Sequence, residues 1–202
     1  MSLDGRLHLE QAKLVLQAGK RLYIGRPLAG SRADAIAILE FAKSTGTPCF
    51  SCSQHRFSPG FSGMRNHPEV GEVLGCDVYG GYALKHAAAD QLIMPLHSIE
   101  TLYTIMGPGV ASVSCVSTPV AESITAVWKD GRVGTYRGIK RGKVKYSATV
   151  FGKDGVSTAG IYGHGVPVEG VVPTKDEYMG YKGLAIEMAK FFKGGATPVR
   201  PA

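Results

Sequence analysis

The first 56 residues alternate between helix-type and strand-type patterns of apolar positions. In HLEQAKLVLQAGK the apolar residues recur at helical spacing, and Gly19 follows as a helix terminator. The apolar run RLYI predicts a strand, and SRADAIAILEFAKSTG predicts a second helix with Ser31 as N-cap, Asp34 at the capping-box position and Gly46 at its end. TPCFSC predicts another strand. This order indicates a parallel α/β layer, and because two strands are too few for a stable doubly wound sheet, we expect the tail of a larger one.

From about residue 57 the pattern changes to strands and connecting loops. GEVLGCDVYGG predicts a strand, HSIETLYTIMG predicts a helix that begins at His97, and two β runs around the Asp-Gly pair at 130–131 predict a hairpin. KVKYSATVFGKDGVST repeats the hairpin pattern at 154–155, and YKGLAIEMAKFFKGG predicts a final helix. We therefore expect an antiparallel meander of at least three or four strands with one covered face.

Composition adds little to this picture. The 202 residues include 44% hydrophobic and 19% charged residues, as is typical of a globular protein that can bury a core. The net charge of +7 allows an anionic partner without selecting one. The basic run YRGIKRGKVKY suggests nucleic-acid binding, but a solvated hairpin that protects a sheet edge is the better explanation. We expect neither nucleic acid nor a membrane as partner, and a cytoplasmic location.

Four cysteines raise the question of a disulfide or a metal site: Cys49, Cys52, Cys76 and Cys115. Cys49 and Cys52 form a C-x-x-C pair, but an offset of three along a strand places the two thiols on opposite faces. No second such pair and no paired histidine completes a zinc site. We therefore expect ordinary buried thiols and no metal ligands.

Several stretches, taken in order, resemble one protein family. They are AGKRLYIGRPLAGSRADAIAILEFAKSTGTPCF, QHRF, HSIETLYTIMGPG, VWKDGRVGTYRG and EMAKFFKGGATPV. Their succession resembles the Gfo/Idh/MocA oxidoreductases, the glucose-fructose oxidoreductase and inositol dehydrogenase group, over nearly all of the chain. The resemblance implies an N-terminal Rossmann domain that binds NAD or NADP, followed by an α+β domain whose open sheet supports substrate binding and oligomerisation.

The resemblance also implies how this chain is organised. Residues 1–56 are expected to be the C-terminal remnant of the dinucleotide-binding domain. Residues 57–202 are expected to form the substrate-binding and oligomerisation domain, an open-faced, mainly antiparallel sheet with helices on one face. No G-x-G-x-x-G follows a predicted strand. We therefore expect a chain truncated at its N-terminus and also at its C-terminus, which binds dinucleotide weakly and is inactive by itself.

Family members are similar to one another in a Glu-Lys-Pro turn and in an Asp and a His four residues apart, which handle the proton of the substrate hydroxyl. The matching positions are Gly25, Arg26 and Pro27 for the turn, and Ile93 and His97 for the pair. Arg26 stays protonated, so it can hold an anion or polarise an oxygen but cannot move a proton. Ile93 cannot orient His97. The resemblance thus leaves His97 as the general acid/base and Arg26 as its catalytic partner, with Arg26 and Pro27 also on the cofactor side.

Two further residues complete the implied site. Glu100 lies three positions after His97 on the same predicted helix face and is a third catalytic candidate, with a helix-surface role as the alternative. Arg56, in QHRF, matches a family arginine near the cofactor and is assigned to cofactor binding. A capping or core role is the alternative for His97, and a salt bridge to the absent domain is the alternative for Arg26. We interpret His8 as structural.

These expectations lead to one main function and one alternative. The main function is that of an NAD(P)-dependent oxidoreductase acting on a sugar, a polyol or a similar hydroxylated small molecule. The departures at Arg26 and Ile93 favour instead a non-catalytic sugar-binding or assembly module on the same scaffold. A cleft shared by His97 and Arg26 would favour the enzyme, whereas their separation or burial against the core would favour the module. The open sheet face also predicts a symmetric homodimer.

Overall fold

The computed structural model describes residues 5–82, 88–160 and 180–199. Its helices are α1 His8–Gln17, α2 Arg32–Ser44, α3 Pro59–Ser62, α4 Ala88–Met106 and α5 Tyr181–Phe192. Its strands are β1 Leu22–Tyr23, β2 Cys49–Phe50, β3 Val73–Gly81, β4 Val110–Ser117, β5 Ala121–Trp128, β6 Val133–Ile139, β7 Ser147–Gly152 and β8 Val156–Gly160. Within the described ranges the strands form a β1-β2 pair and a six-stranded sheet in the order β4-β5-β6-β3-β7-β8.

The N-terminal layer follows the local signals of the sequence closely. β1 and β2 run parallel, and each is only two residues long. The Ser31 hydroxyl accepts a hydrogen bond from the backbone N–H of Asp34 at 3.1 Å, which caps α2 as predicted. Gly19 and Gly46 follow the two helices with φ of 67° and 63°, a conformation that glycine adopts without strain. The core of the layer includes the buried residues Ala12, Leu16, Ile24 and Ile38.

The last helix, α5, packs against this N-terminal layer. Phe191 is fully buried, and its ring centroid lies 4.8 Å from that of Phe50 in β2. The guanidinium of Arg21 lies 4.3 Å from the centre of the same Phe191 ring. Leu184 and Cys52 complete this small apolar cluster. α5 therefore covers the end of β2 and extends the core beyond what two short strands could build.

The six-stranded sheet is covered on one face by α4. Leu102 of this helix packs with Val78 and Trp128 of the sheet in the largest apolar cluster. A Cβ at Gly134 would lie 2.9 Å from a methyl carbon of Leu102 and 3.0 Å from the Trp128 ring, so the glycine permits this close approach. Four of the five strand pairings are antiparallel. The predicted fold class, a parallel α/β layer followed by a mainly antiparallel sheet with helices on one face, is confirmed.

The order of strands differs from a simple meander. β3 lies between β6 and β7, parallel to the first and antiparallel to the second. The basic run therefore connects two strands that are not hydrogen-bonded neighbours, and the prediction that it forms a hairpin was wrong. Lys140 is also not a free solvated charge, since its ammonium lies 2.6 Å from the Glu122 carboxylate and 4.8 Å from the centre of the Tyr82 ring. Local turn signals cannot report that an earlier strand inserts between two later ones.

Helix α4 also starts earlier than predicted. It begins at Ala88 and continues through Pro95, so His97 lies in its interior and is not a helix cap. A proline usually marks the start of a helix because it lacks a backbone N–H. Pro95 cannot donate a helical hydrogen bond, and the packing of Leu102 on the sheet supports the turns that follow. The expectation that the helix begins at His97 was therefore wrong.

The prediction of buried thiols is confirmed for Cys49 and Cys52. Cys49, Cys52 and Cys76 are buried and Cys115 is exposed. β2 ends at Phe50, so the argument from opposite strand faces does not apply to Cys52, although the expected outcome holds. No three metal-ligating side chains come together within the described ranges. Of the helices that the structure describes, none combines the length and the apolar character needed to cross a membrane.

Candidate functional site

The site lies where β1 and β2 end. Because the two strands are parallel, the turns that follow them meet at the same edge of the pair, which is where open α/β sheets bind ligands. Arg26 and Pro27 occupy the turn after β1, and their peptide bond is cis. The buried imidazole of His8 holds this turn, with its Nδ1 2.9 Å from the Pro27 carbonyl oxygen. His8 thus supports the turn and stands apart from the chemistry. Ser53 follows β2 and faces the same edge.

Helix α4 brings His97 to this edge. Its Nε2 lies 2.5 Å from a terminal guanidinium nitrogen of Arg26, and its Nδ1 lies 2.8 Å from the Ser53 hydroxyl oxygen. A guanidinium can only donate hydrogen bonds, so Nε2 must accept, and a neutral imidazole then carries its proton on Nδ1. Nδ1–H therefore donates to Ser53. The two contacts together fix both the orientation and the tautomer of His97.

A second histidine supports the first. The ring centroid of His55 lies 4.7 Å from that of His97, and the Tyr146 ring lies 5.1 Å from His55 and 5.8 Å from His97. The Thr101 hydroxyl donates to the His97 carbonyl oxygen at 2.9 Å and lies 3.2 Å from Nδ1 of His55. A Cβ at Gly80 would lie 2.6 Å from the Tyr146 ring, so only glycine lets the tyrosine close on the site. His97 is thereby 6% exposed.

Both histidines are electrically neutral at neutral pH. Burial, followed by the Arg26 charge and then His55, lowers the pKa of His97 from 6.5 to about 3. Burial and then the Arg26 charge lower the pKa of His55 to about 4. His97 therefore has the protonation state of a general base. It is nevertheless a weak base while Arg26 donates to its Nε2.

Glu100 is tied into the site. One of its carboxylate oxygens accepts from the Ser53 backbone N–H at 2.9 Å, and the other accepts a hydrogen bond from Nε of Arg56. The side chains of Glu100 and Arg56 are only 15% and 23% exposed. The alternative of a solvated helix-surface role for Glu100 is therefore not what is observed. This ion pair joins α4 to the turn after β2.

A pocket of about 150 Å³ opens beside these residues. Arg26 and Glu100 line it, whereas His97 is not among the residues that do. The remaining lining is largely apolar and comes from Leu28, Leu39, Cys49, Phe50, Ser51, Leu96 and Val199. Arg26, which contacts Nε2 of His97, thus connects the imidazole with the pocket. The arrangement can bind a small polar molecule next to a guanidinium with a neutral imidazole behind it.

The structure brings four of the predicted site residues together: Arg26, Arg56, His97 and Glu100. Pro27 is buried in the same turn but does not line the pocket. Ile93 lies in α4 one turn before His97, and its side chain lies outside the described part of the chain. No acidic partner of His97 is observed among the described residues, and its Nδ1 instead bonds to the Ser53 hydroxyl.

Sequence reasoning missed three residues of the site: Ser53, His55 and Thr101. A signal for the first was available, because a serine just before QHRF can cap the short turn that follows. The Ser53 hydroxyl does accept from the His55 N–H at 3.1 Å. Nothing in the sequence indicates that the same hydroxyl also reaches His97, which is 44 residues away along the chain.

Comparisons with known proteins bear on the fold. No family model matches the chain. The 4-carboxy-2-hydroxymuconate-6-semialdehyde dehydrogenase of Sphingobium sp. (strain NBRC 103272 / SYK-6) is 35% identical over 68 residues, which are 34% of this chain and 22% of that enzyme. The matching stretch is thus less than a quarter of the relative's length.

Solved structures match over nearly all of the chain. The aldose-aldose oxidoreductase of Caulobacter crescentus, complexed with glycerol, superposes with a TM-score of 0.77 at 16% identity and covers 96% of this chain and 69% of its own. GenD2 from gentamicin A biosynthesis, in complex with NAD, gives 0.74 at 17% identity, with 98% and 68% covered. The fold is that of the Gfo/Idh/MocA dehydrogenases. The resemblance seen in the sequence is confirmed at the level of the fold.

Proposed function

We propose that the chain is the substrate-binding part of an NAD(P)-dependent oxidoreductase that acts on a sugar, a polyol or a similar hydroxylated small molecule. The observation that carries the proposal is the contact between Arg26 and His97, which lie 71 residues apart in sequence and meet beside a pocket. The relatives support the general kind of reaction, since they are named as a dehydrogenase and an oxidoreductase. A nicotinamide dinucleotide is the cofactor that this function requires.

The described residues fit one end of such a cofactor. Sites for ligands of drug size usually have volumes of roughly 300–1,000 Å³, and the pocket of about 150 Å³ is smaller. Its apolar wall and the Arg26 guanidinium suit a flat, polar ring, and Pro27 shapes the turn beside it. Arg56 is engaged with Glu100, so its assignment to cofactor binding requires that it keep a donor free. The sequence supplies no glycine-rich turn for the pyrophosphate.

In the proposed mechanism this chain handles the proton. The cofactor, when bound, exchanges a hydride with the substrate carbon. Nε2 of His97 accepts the proton of the substrate hydroxyl in oxidation and returns it in reduction, once Arg26 has shifted its donor from Nε2 to the substrate oxygen. Arg26 thereby stabilises the developing negative charge on that oxygen without itself titrating. Glu100 acts by holding the turn that carries Ser53, and Ser53 holds His97.

The test compares the chain alone with the chain fused at its N-terminus to a dinucleotide-binding domain. Nicotinamide fluorescence would report binding, and NAD(P)H formation in the presence of sugars and polyols would report turnover. We expect no turnover by the chain alone, and binding with slow turnover by the fusion that His97→Asn abolishes. Turnover by the unfused chain would contradict the expected inactivity.

The alternative is a non-catalytic sugar-binding or assembly module. It is favoured by two observations. The Arg26 guanidinium occupies the only nitrogen of His97 that can take up a proton, and His97 is buried and does not line the pocket. A fusion that binds sugar but neither binds nicotinamide nor turns over any polyol would select this alternative.

We also propose a symmetric homodimer through the uncovered face of the six-stranded sheet. Val133, Phe151 and Val156 lie in one cross-strand row with Gly75, and they are 44%, 39% and 62% exposed. A second copy of this face is the natural cover for such a row. Light scattering should give a dimer that Phe151→Arg dissociates, whereas Leu14→Arg, at an equally apolar exposed site on α1, should leave it intact. A monomeric parent chain would contradict the proposal.

A further inference from the structure

The two charges at the pocket are not each other's partners. Both carboxylate oxygens of Glu100 are engaged, one by the Ser53 N–H and the other by Arg56. Arg26 lines the same pocket, yet within the described part of the chain no carboxylate forms an ion pair with it. Among the described residues, the pocket therefore holds one carboxylate that is paired and one guanidinium that forms no ion pair.

The hydrogen bonds of Arg26 are also incomplete. One terminal nitrogen donates to His97, and the Nε–H is buried without a hydrogen-bond partner. A guanidinium has five donors arranged in a planar fork, which matches the two oxygens of a carboxylate. A neutral imidazole uses one of those donors and cannot neutralise the charge.

The charge of Arg26 acts on the two buried histidines beside it. It lowers the pKa of both His97 and His55, after burial has already lowered them. The two imidazoles are neutral, and the rest of the pocket wall is mainly aliphatic. A buried or half-buried charge is costly unless it is paired, so a ligand that brings an anion gains more here than at an exposed arginine.

We propose that the substrate of this pocket carries a carboxylate close to its reacting hydroxyl, and that Arg26 binds this carboxylate. The inference rests on the proposed function and narrows it from hydroxylated molecules in general to hydroxy acids and sugar acids. A carboxylate at Arg26 draws the guanidinium away from His97. It thereby frees Nε2, the one nitrogen that can accept the proton of the neighbouring hydroxyl. A neutral polyol offers no charge to compete with the Arg26–His97 contact.

The test uses a pair of sugars that differ only at one carbon, D-glucuronate and D-glucose. Each is titrated into the full chain labelled with ¹⁵N and ¹³C at histidine, at constant ionic strength, and the His97 ring signals report binding without cofactor or turnover. We expect glucuronate to bind about tenfold more tightly than glucose, the size of effect that charge-assisted hydrogen bonds support. We also expect it to move the His97 Nε2 resonance as Arg26 leaves.

Variants decide whether Arg26 is responsible. Arg26→Gln should reduce the preference to within about twofold, and Arg26→Lys should keep part of it, because lysine retains the charge without the fork. Arg141→Gln removes an exposed arginine and changes the net charge equally, so it should keep the full preference. If Arg26→Gln does not fold, the wild-type ratio and Arg26→Lys still decide the matter.

Three results would overturn the proposal: glucose binding as tightly as glucuronate, a preference that survives in Arg26→Gln, or no saturable shift with glucuronate. None of these three binding results tests the oxidoreductase function itself. A fusion that oxidises neutral polyols but shows no carboxylate preference would keep the proposed function and discard this inference. A carboxylate preference without any turnover by the fusion would keep this inference and discard the proposed function.

Discussion

The two charged ends of the site are built on different principles. At one end the Glu100 carboxylate is satisfied on both oxygens, by Arg56 and by a backbone N–H. At the other end the Arg26 guanidinium has no carboxylate within the described ranges and one buried donor without a partner. The first end behaves as part of the scaffold, since it ties α4 to the turn after β2. At the second end the guanidinium has no ion-pair partner among the described residues, so it can bind an anionic group of a ligand.

This difference indicates that the Glu100 end contributes to stability, whereas the Arg26 end is available for ligand binding. A paired, half-buried charge stabilises the fold only modestly, but removing one partner leaves the other desolvated and alone. An unpaired charge next to neutral imidazoles is destabilising in the empty protein, and a ligand can reverse that. Substitutions at the two ends should therefore have opposite effects on the free energy of unfolding.

The largest expected effect is a loss of stability in acid that originates at the two buried histidines beside Arg26. The pKa values of His97 and His55 lie below 6.5 in the folded chain, at about 3 and about 4, so the unfolded state binds protons first as the pH falls. Stability is therefore fully present above pH 6.5 and decreases below it. Each histidine contributes up to about 1.4 kcal/mol per pH unit across its window. Urea unfolding at pH steps from 7 downward measures this slope.

The same experiment identifies the groups responsible. His97→Asn and His55→Asn should each flatten the decrease in unfolding free energy between neutral pH and about pH 4. If both variants lose stability as steeply as the parent chain, the acid sensitivity lies elsewhere and the two ends of the site do not differ in this way.

The second largest effect is expected from Glu100→Gln. Glutamine can still accept from the Ser53 N–H, but it leaves Arg56 half-buried without a counter-charge. The free energy of unfolding should decrease by about 1–3 kcal/mol, as for other hydrogen bonds to charged groups. Chemical denaturation at neutral pH measures it.

Glu187→Gln is the matched control, because Glu187 forms an ion pair with Lys190 on the surface of α5. Exposed pairs of this kind contribute only about 0.2–1 kcal/mol. Equal losses in the two variants would mean that the Glu100 end is no more structural than a surface ion pair.

A smaller effect of opposite sign is expected from Arg26→Met. Methionine keeps the unbranched stem and removes a desolvated charge, so the free energy of unfolding should stay the same or rise by up to about 1 kcal/mol. The pKa of His97 should rise as well, because the Arg26 charge is one of the causes that lower it. Chemical denaturation and histidine NMR measure the two quantities.

Arg21→Met tests whether the loss of any arginine in this layer would stabilise the protein. The Arg21 guanidinium lies over Phe191 and donates to a backbone carbonyl, so its removal should cost about 1 kcal/mol. If Arg26→Met lowers the free energy of unfolding more than Arg21→Met does, the Arg26 charge does not destabilise the fold and the interpretation is wrong.

The two ends also differ in how far the sequence predicts them. Short-range signals were reliable: the Ser31 cap, the glycine stops of the first two helices and the Asp-Gly hairpin turn at 130–131 are all observed. They depend on the chain within a few residues. The insertion of β3 between β6 and β7 was not predicted, because strand order depends on pairings between residues more than 50 positions apart. The boundary at residue 57 stays a prediction.

For the site, the resemblance predicted Arg26 and His97, and the structure adds the residues that contact His97. Ser53 and Thr101 are small polar residues with no distinguishing sequence pattern, and their positions depend on how α4 docks on the turn after β2. The start of α4 was missed for a related reason, since Pro95 looks like a helix boundary when the tertiary packing is not known. The roles of the predicted site residues remain proposals.

The most specific expected change in structure concerns Ser53→Ala. In the parent chain Arg26 can only donate to Nε2 of His97, so the ring proton must sit on Nδ1 and point to the Ser53 hydroxyl. The ¹⁵N shifts of His97 should therefore show the Nδ1–H tautomer. Without the hydroxyl, Nδ1–H loses its acceptor and the tautomer is held only by Arg26. We expect a mixture of tautomers and a loss of about 1 kcal/mol in the free energy of unfolding.

Ser44→Ala is the control, because the Ser44 hydroxyl bonds only to the Phe41 carbonyl on the exposed side of α2. It should leave the His97 signals unchanged. Ser53→Thr keeps the hydroxyl and should restore the single tautomer, which a merely structural role of Ser53 would not predict. If Ser53→Ala keeps a pure Nδ1–H tautomer, the Arg26 end orients His97 unaided. Ser53 would then be dispensable for the orientation of His97, because the contact with Arg26 would already supply the constraint.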